Sequence, residues 1–272
     1  MKYRKLGKTA MQVSVVGVGT WQLGGEWGKT FEQSEVDAML GKAADLGVNL
    51  IDTAECYGDH LSEELVGRAV KGQRDKWIIA TKFGHKFTEP FERDDLFGPQ
   101  QVQKQLEDSL KALQTDYIDL YQFHSGTDEM FDTAGLWEML QEQVDSGKIR
   151  HLGISISKRH GGIYQADRAS DVGAEALQVV YNRIHRDPEK QIFDSCIRQN
   201  VGVLARVPLA SGFLSGKYAK GSQFDDTDVR AVWQNQDDRN KAVERIESFK
   251  AEIPDGLPMA QWALAWCLQH PA

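Results

Sequence analysis

The chain has 272 residues, 41% of them hydrophobic and 26% charged, enough to bury one large core, since about three quarters of a chain near 300 residues leaves water on folding. Its 32 Lys and Arg against 40 Asp and Glu give a net charge of -8 with no basic run, which excludes an electrostatic footprint for nucleic acid. No apolar window approaches the roughly 20 residues of a membrane span, the opening MKYRKLGKTAM lacks a signal peptide's apolar stretch, and the scattered Cys56, Cys196 and Cys267 make neither a disulfide framework nor a zinc motif, so a cytoplasmic protein without metal or membrane partner is expected.

One alternation runs along the whole chain, with no low-complexity linker or shift of composition, so residues 1–272 read as a single domain. Runs rich in Val, Ile, Leu and aromatics predict strands at 13–20, 48–54, 77–83, 117–124, 149–155, 176–182 and 201–207. Segments of helical period lie between them at 32–47, 98–114 and 135–148, several closing on a glycine that suits a helix C-terminus. Repeated β-α order implies a parallel sheet.

An open dinucleotide-binding sheet would carry G-x-G-x-x-G after its first strand, but GVGTWQ puts Gln22 at the third glycine position. A (β/α)8 TIM barrel is the better expectation. Only seven strands are countable, and the chain stops at AQWALAWCLQHPA, an apolar helix with no strand after it, so the eighth strand and its helix are expected to be missing from this chain.

A barrel's site lies at the C-terminal ends of its strands. Counting back by twos gives Asp52, Leu50 and Val48 on one face of the second strand, Lys82, Ala80 and Ile78 on the third, and His124, Gln122, Leu120 and Ile118 on the fourth. Each ionisable strand end has an ordinary explanation by itself: Asp52 as a helix cap, Lys82 snorkelling to water, His124 as a satisfied core residue. Three of them converging on one mouth, with Tyr57 on the following loop, would cost desolvation unless they served each other.

The chemistry they suit is proton donation. A phenol is too weak an acid to protonate a carbonyl quickly unless a cation favours its phenolate. Lys82 can supply that charge, Asp52 can hold the lysine, and His124 can donate to the oxygen that becomes negative. An acid donor without a nucleophile suits reduction of an aldehyde or ketone by hydride from a bound cofactor.

GVNLIDTAECYG with Asp52 and Tyr57, IIATKFG with Lys82 and YIDLYQFH with His124 together resemble the aldo-keto reductase family, and the resemblance covers essentially the whole chain. It implies NADPH as cofactor, with Gly19, Thr20 and Trp21 beside substrate and nicotinamide, Asp52, Ser155 and Gln178 around the carboxamide, and RVPLASGFLSGKY (206–218) around the pyrophosphate through Pro208, Leu209, Ser211, Gly212, Leu214 and Lys217. Two departures stand out. Ile156 follows Ser155 where the family often has Asn, and Arg206 stands where many members stack an aromatic on the nicotinamide, a task its planar guanidinium could take over. The family's 2'-phosphate pocket is built largely after strand eight, so weak NADPH binding is expected of this chain.

Trp21, Trp27, Phe83, His85, Phe87 and Phe91 are candidates for an aromatic pocket that favours an aldehyde or ketone over a sugar phosphate, and Trp21, Trp27, Tyr57, Phe83 and His124 are the expected substrate contacts. Cys56 reads as a small buried hydrophobe. Two other functions stay open: a non-catalytic cofactor-binding subunit, since the resemblance extends to channel-associated β subunits, and a Schiff-base lyase through Lys82, which would need a neutral lysine. A monomer or weak homo-oligomer acting on a small carbonyl compound is expected.

Overall fold

Residues 1–157 and 162–272 are described by the structure, a computed structural model. The chain opens with a hairpin, β1 (Tyr3–Lys5) against β2 (Gln12–Ser14). There follow β3 (Val18–Gly19), β4 (Leu50–Asp52) and β5 (Ile78–Phe83), a second hairpin of β6 (His85–Glu89) and β7 (Glu92–Asp95), and then β8 (Ile118–His124), β9 (Ile149–Ser155), β10 (Ala174–Val180) and β11 (Gly202–Arg206). Seven of these pair in parallel in the order β11-β10-β9-β8-β5-β4-β3.

That sheet is curled. Leu50 on β4 and Ala176 on β10, near its opposite ends, share one small interior cluster with Ala80 and Leu120, which a flat sheet could not achieve. The architecture is a (β/α)8 barrel lacking one strand, with β3 and β11 unpaired with each other among the described residues. The predicted strand at 13–20 was too long: its first two residues belong to β2, and only Val18 and Gly19 enter the barrel.

The first hairpin closes the floor. Leu6 and Val13 reach into the interior cluster, and Gly7 takes a left-handed turn (φ 53°) so close to β11 that a Cβ there would lie 2.1 Å from the Gly202 nitrogen. No other residue fits that approach.

Strand alternation separates two layers. Ile51, Ile79, Phe83, Tyr121, Phe123, Ile154 and Leu177 point outward into the main core against the surrounding helices. The helix Pro99–Leu113 is representative: Pro99 starts it after Gly98, Val102, Leu106, Leu110 and Leu113 recur on its buried face, and Gln114 ends it in a left-handed conformation. A second cluster packs Ala210, Phe213 and Leu214 against the helices Gln236–Glu247 and Met259–Cys267 through Val243, Ile246, Trp262 and Ala263. No helix among the described residues is long and apolar enough to cross a membrane.

Candidate active site

The inward faces end in polar groups at one mouth. Register places Asp52 of β4 opposite Ala80 of β5, Lys82 opposite Gln122 of β8, and His124 opposite Ser155 of β9. Lys82 is fully buried, and its ammonium donates to Asp52 Oδ2 at 3.0 Å, to the Thr53 carbonyl at 2.6 Å and to the Tyr57 hydroxyl oxygen at 3.2 Å. An ammonium has three hydrogens, and all three are used. Asp52 is held from its other side, Oδ1 accepting from Gln178 Nε2 at 2.7 Å and from Gln122 Nε2 at 3.4 Å.

Tyr57 is brought to this lysine by the loop after β4. Its turn is packed so closely on the Trp21–Gly24 turn that Cβ atoms at Gly24 and Gly58 would lie 2.6 and 2.5 Å from the opposing backbone. Ser62 fastens the two, its Oγ donating to Thr20 and lying 3.0 Å from Thr53 Oγ1. Trp21 stacks on Tyr57 with ring centres 5.8 Å apart, while its indole N–H donates to the buried Glu26 at 2.9 Å.

Electrostatics sets the protonation of each group. Burial pulls the Lys82 ammonium toward losing its proton, but Asp52 and then Tyr57 outweigh it and hold the group above its ordinary range. Burial pushes the Tyr57 phenol up to about 12 although Lys82 opposes the shift. The expected effect of the lysine is present, then, but not dominant: Tyr57 keeps its proton at neutral pH. His124 is held neutral, far below an ordinary imidazole, by burial and then by the positive surroundings of His85, Lys82, Arg206 and Arg93.

A cavity of about 2200 Å³ opens over this mouth and runs down between β3 and β11. Gly19, Thr20, Trp21, Trp27, Asp52, Tyr57, His124 and Gln178 border it, as do Arg206, Pro208, Leu209, Ser211 and Gly212. Ser155 stands behind Gln178, donating to its Oε1 at 3.3 Å. Arg206 donates to the Ile156 carbonyl at 3.0 Å, while its buried Nε has no partner among the described residues. The loop after β11 curls through left-handed conformations at Val207, Ala210, Ser211 and Gly212. Within it the Leu209 and Ser211 N–H groups meet no acceptor among the described residues, a concavity suited to an anion. The Leu209 and Ser211 N–H groups and the Arg206 Nε are thus free to donate to a ligand in the cavity.

Four expected contacts lie elsewhere. Phe83 does not border the cavity: one residue past Lys82 it faces the other way, fully buried against Phe97, Tyr121 and Phe123. Leu214 turns into the second core cluster, and Lys217 is exposed away from the cavity. Of the aromatic candidates, Trp21, Trp27, His85 and Phe91 line the space and Phe87 does not.

Other residues came into view only with the fold. Trp233 lies against Trp21 at 5.2 Å and also borders the cavity, and no periodicity links it to the strand ends. Arg93, on β7, pairs with Glu26 at 2.5 Å and lines the same wall. Gln122 could have been found, being two residues before His124 on its face. The sequence gives no metal motif, yet Glu55, Cys56 and His124 come together with candidate ligand atoms within 4.8 Å of one another.

Comparison with known proteins gives a consistent result. The family model described as Aldo/keto reductase family matches residues 15–272. The chain is 32% identical over 287 residues to the aldo-keto reductase YhdN of Bacillus subtilis, covering all of this chain and 82% of that protein. Among solved structures it resembles the aldo-keto reductase AKR11C1 from Bacillus halodurans in its holo form, with a TM-score of 0.81, 30% identity, and coverage of 99% of this chain and 83% of that one. It also resembles the glycerol dehydrogenase AKR11B4 from Gluconobacter oxydans, with a TM-score of 0.80, 30% identity, and coverage of 98% and 83%.

Proposed function

The chain belongs to the aldo/keto reductase family, and from that premise we propose that it reduces an aldehyde or ketone to an alcohol, with NADPH as hydride donor and Tyr57 as the proton donor. The observation that carries the reading is the Lys82 ammonium set between Asp52 and the Tyr57 oxygen at the mouth of the cavity. NADPH, when bound, supplies the hydride to the carbonyl carbon.

The chain's own residues manage the charge that appears on the oxygen. Lysine can only donate, so the 3.2 Å contact makes the Tyr57 oxygen an acceptor from Lys82 and leaves the phenolic hydrogen for the substrate. As that hydrogen leaves, the phenolate forms next to a cation already in place, which lowers the barrier without reorganisation. Asp52 and Gln178 fix the lysine's counter-charge, and neutral His124 stands beside Tyr57, ring centres 6.2 Å apart, as a second donor to the same oxygen. Trp21, Trp27 and Trp233 would enclose the organic part of the substrate. The uncommitted donors of Leu209, Ser211 and Arg206 would take the cofactor, with Lys241 and Arg245 adding positive charge along the same cavity. A Schiff-base role for Lys82 is disfavoured, since a lysine held above its ordinary range is not nucleophilic.

The test is NADPH oxidation over a panel of aldehydes and ketones. Tyr57→Phe should lower kcat at least about a hundredfold while cofactor affinity, measured by titration, stays near that of the wild type. Reduction by Tyr57→Phe at near wild-type kcat removes the acid assignment, and absence of NADPH-dependent turnover across the panel removes the enzyme reading.

A further inference from the structure

We propose that Glu26 is a positioning residue that sets the preference of the site for aromatic over small aliphatic carbonyl substrates, its carboxylate fixing the tip of the β6–β7 hairpin against Trp21. The inference rests on the carbonyl-reductase reading above and adds to it a residue that does not touch the substrate.

Glu26 is 3% exposed and is not among the residues that border the cavity. A buried carboxylate needs donors, and here they come from separate pieces of the chain. Oε2 accepts from Trp21 Nε1 at 2.9 Å and from Arg93 Nη2 at 2.5 Å, and Oε1 accepts from the Phe91 N–H at 2.8 Å. Trp21, Phe91 and Arg93 all border the cavity. Glu26 holds a further wall through its main chain, its carbonyl accepting from the Val229 N–H at 2.9 Å. That bond lies at the start of the helix Val229–Trp233, whose Trp233 meets Trp21 at 5.2 Å between ring centres. One buried residue therefore ties together three sides of the space beside Tyr57.

The hairpin tip is the side that most needs holding. β6 and β7 pair with each other and with no strand of the barrel among the described residues, so no shared ladder places the tip over the mouth. The base is fastened by the His85 N–H on Glu55, and the tip by Glu26. Pro90 and Phe91 form the turn, and Phe91 has φ 72°, the left-handed position that a turn opened by proline usually gives to glycine. Phenylalanine is strained there. The bond to Glu26 holds that strained residue, and with it an aromatic side chain, at the wall of the cavity.

Glutamine separates the two halves of the carboxylate, because it has one acceptor oxygen and an NH2 that donates. With its oxygen in place of Oε2 it keeps Trp21 and Arg93 but turns the NH2 toward the Phe91 N–H. Donor then faces donor, and the tip is released. The opposite orientation would set the NH2 against two donors and is worse.

The experiment uses the full chain with NADPH and two aldehydes, benzaldehyde and propanal. Glu26→Gln should raise the KM for benzaldehyde about tenfold, with the KM for propanal, the KM for NADPH and both kcat values unchanged. Phe91→Gly, which relieves the turn and removes the ring, should raise the benzaldehyde KM by a similar factor, and the double variant should be no worse than either. Without any turnover, amide exchange followed by NMR should show the Phe91 N–H exchanging about a hundredfold faster in Glu26→Gln, while the Trp21 indole N–H stays as protected as in the wild type. An unchanged benzaldehyde KM in either single variant, a kcat that falls equally with both aldehydes, additive KM losses in the double variant, or a Phe91 amide as protected as before overturns the proposal. A Glu26→Gln chain that does not fold overturns it too, since the carboxylate would then serve the fold and not the pocket. If the wild type oxidises NADPH with no carbonyl compound, the reductase reading fails by itself, and the exchange of the Phe91 amide still reports on Glu26.

Discussion

Glu55→Gln should stabilise the protein, and by an amount that grows with pH. Glu55 is 3% exposed; one of its oxygens accepts from the His85 N–H at 2.9 Å and the other has no partner among the described residues. Burial, which the His85 N–H only partly opposes and the neighbouring Glu63 reinforces, raises the carboxyl from an ordinary 4.5 to about 8. The unfolded chain therefore loses this proton near pH 4.5 while the folded chain keeps it to about 8, so the folded state binds more protons across that window and stability falls as pH rises through it. Each pH unit costs about 1.4 kcal/mol, so by pH 7 the wild type has lost about 3 kcal/mol at most to this one group. Glutamine keeps the acceptor for His85 and does not titrate. Thermal unfolding followed by circular dichroism should give nearly equal midpoints for the two proteins at pH 5 and a Glu55→Gln midpoint higher by roughly 6 to 12 °C at pH 7, at about 2 to 4 °C per kcal/mol for a chain of this size. His124, held neutral by its surroundings, makes both proteins less stable as pH falls below an ordinary imidazole's range, and this shared slope cancels in the difference. A midpoint difference that is the same at pH 5 and pH 8, or a glutamine variant less stable at pH 8, would mean that Glu55 is ionised in the fold and that the reasoning fails.

Lys82→Met should reduce kcat nearly as much as Tyr57→Phe, and the double variant should be little worse than either, because the two act as one donor unit; additive losses in log kcat would separate them. Phe83→Ala should destabilise by about 3 to 5 kcal/mol, since it empties a fully buried site, whereas Phe83→Leu should leave the KM for the carbonyl substrate unchanged; a large KM shift in the leucine variant would return Phe83 to the pocket. Trp233→Ala should raise the KM for aromatic aldehydes severalfold with kcat preserved, and equal KM values across the panel would show that the ring does not reach the substrate.

What the sequence made legible follows from periodicity. The strands β4, β5 and β8 are buried along nearly their whole length and read as apolar-rich runs, and counting by twos from their ends found Asp52, Lys82 and His124. The same rule, when neglected, misplaced Phe83: adjacent strand residues face opposite ways, so the neighbour of an inward Lys82 belongs to the outer core. The two hairpins were missed for the opposite reason. β1 is exposed at all three residues, and β6 and β7 are rich in charged residues with little apolar signal. That omission hid Arg93, and with it the partner of Glu26. The loop after β11 was correctly located, but its chain reversal, through left-handed residues that are not glycine, sends Leu214 into the core, a turn that composition does not announce.

The groups left over after folding point to the chemistry more directly than the groups gathered there. Lys82 has spent every hydrogen inside the protein, so it has none left for a ligand, and Asp52 is largely taken by Lys82, Gln122 and Gln178. Their arrangement is complete before anything binds. The hydrogen of Tyr57, the second ring nitrogen of His124 and the Nε of Arg206 have no acceptor among the described residues, and all three residues border the cavity. A buried donor without a partner costs stability, as the Arg206 Nε does, so a fold that sets it beside the half-buried Tyr57 and His124 around one space is poised for a ligand that offers acceptors there. In the proposed reduction a carbonyl oxygen would lie between Tyr57 and His124, and it becomes a better acceptor as it is reduced. Donors placed to gain strength as charge develops favour the transition state over the bound substrate, which is the requirement that a reductase site has to meet and a mere binding site does not.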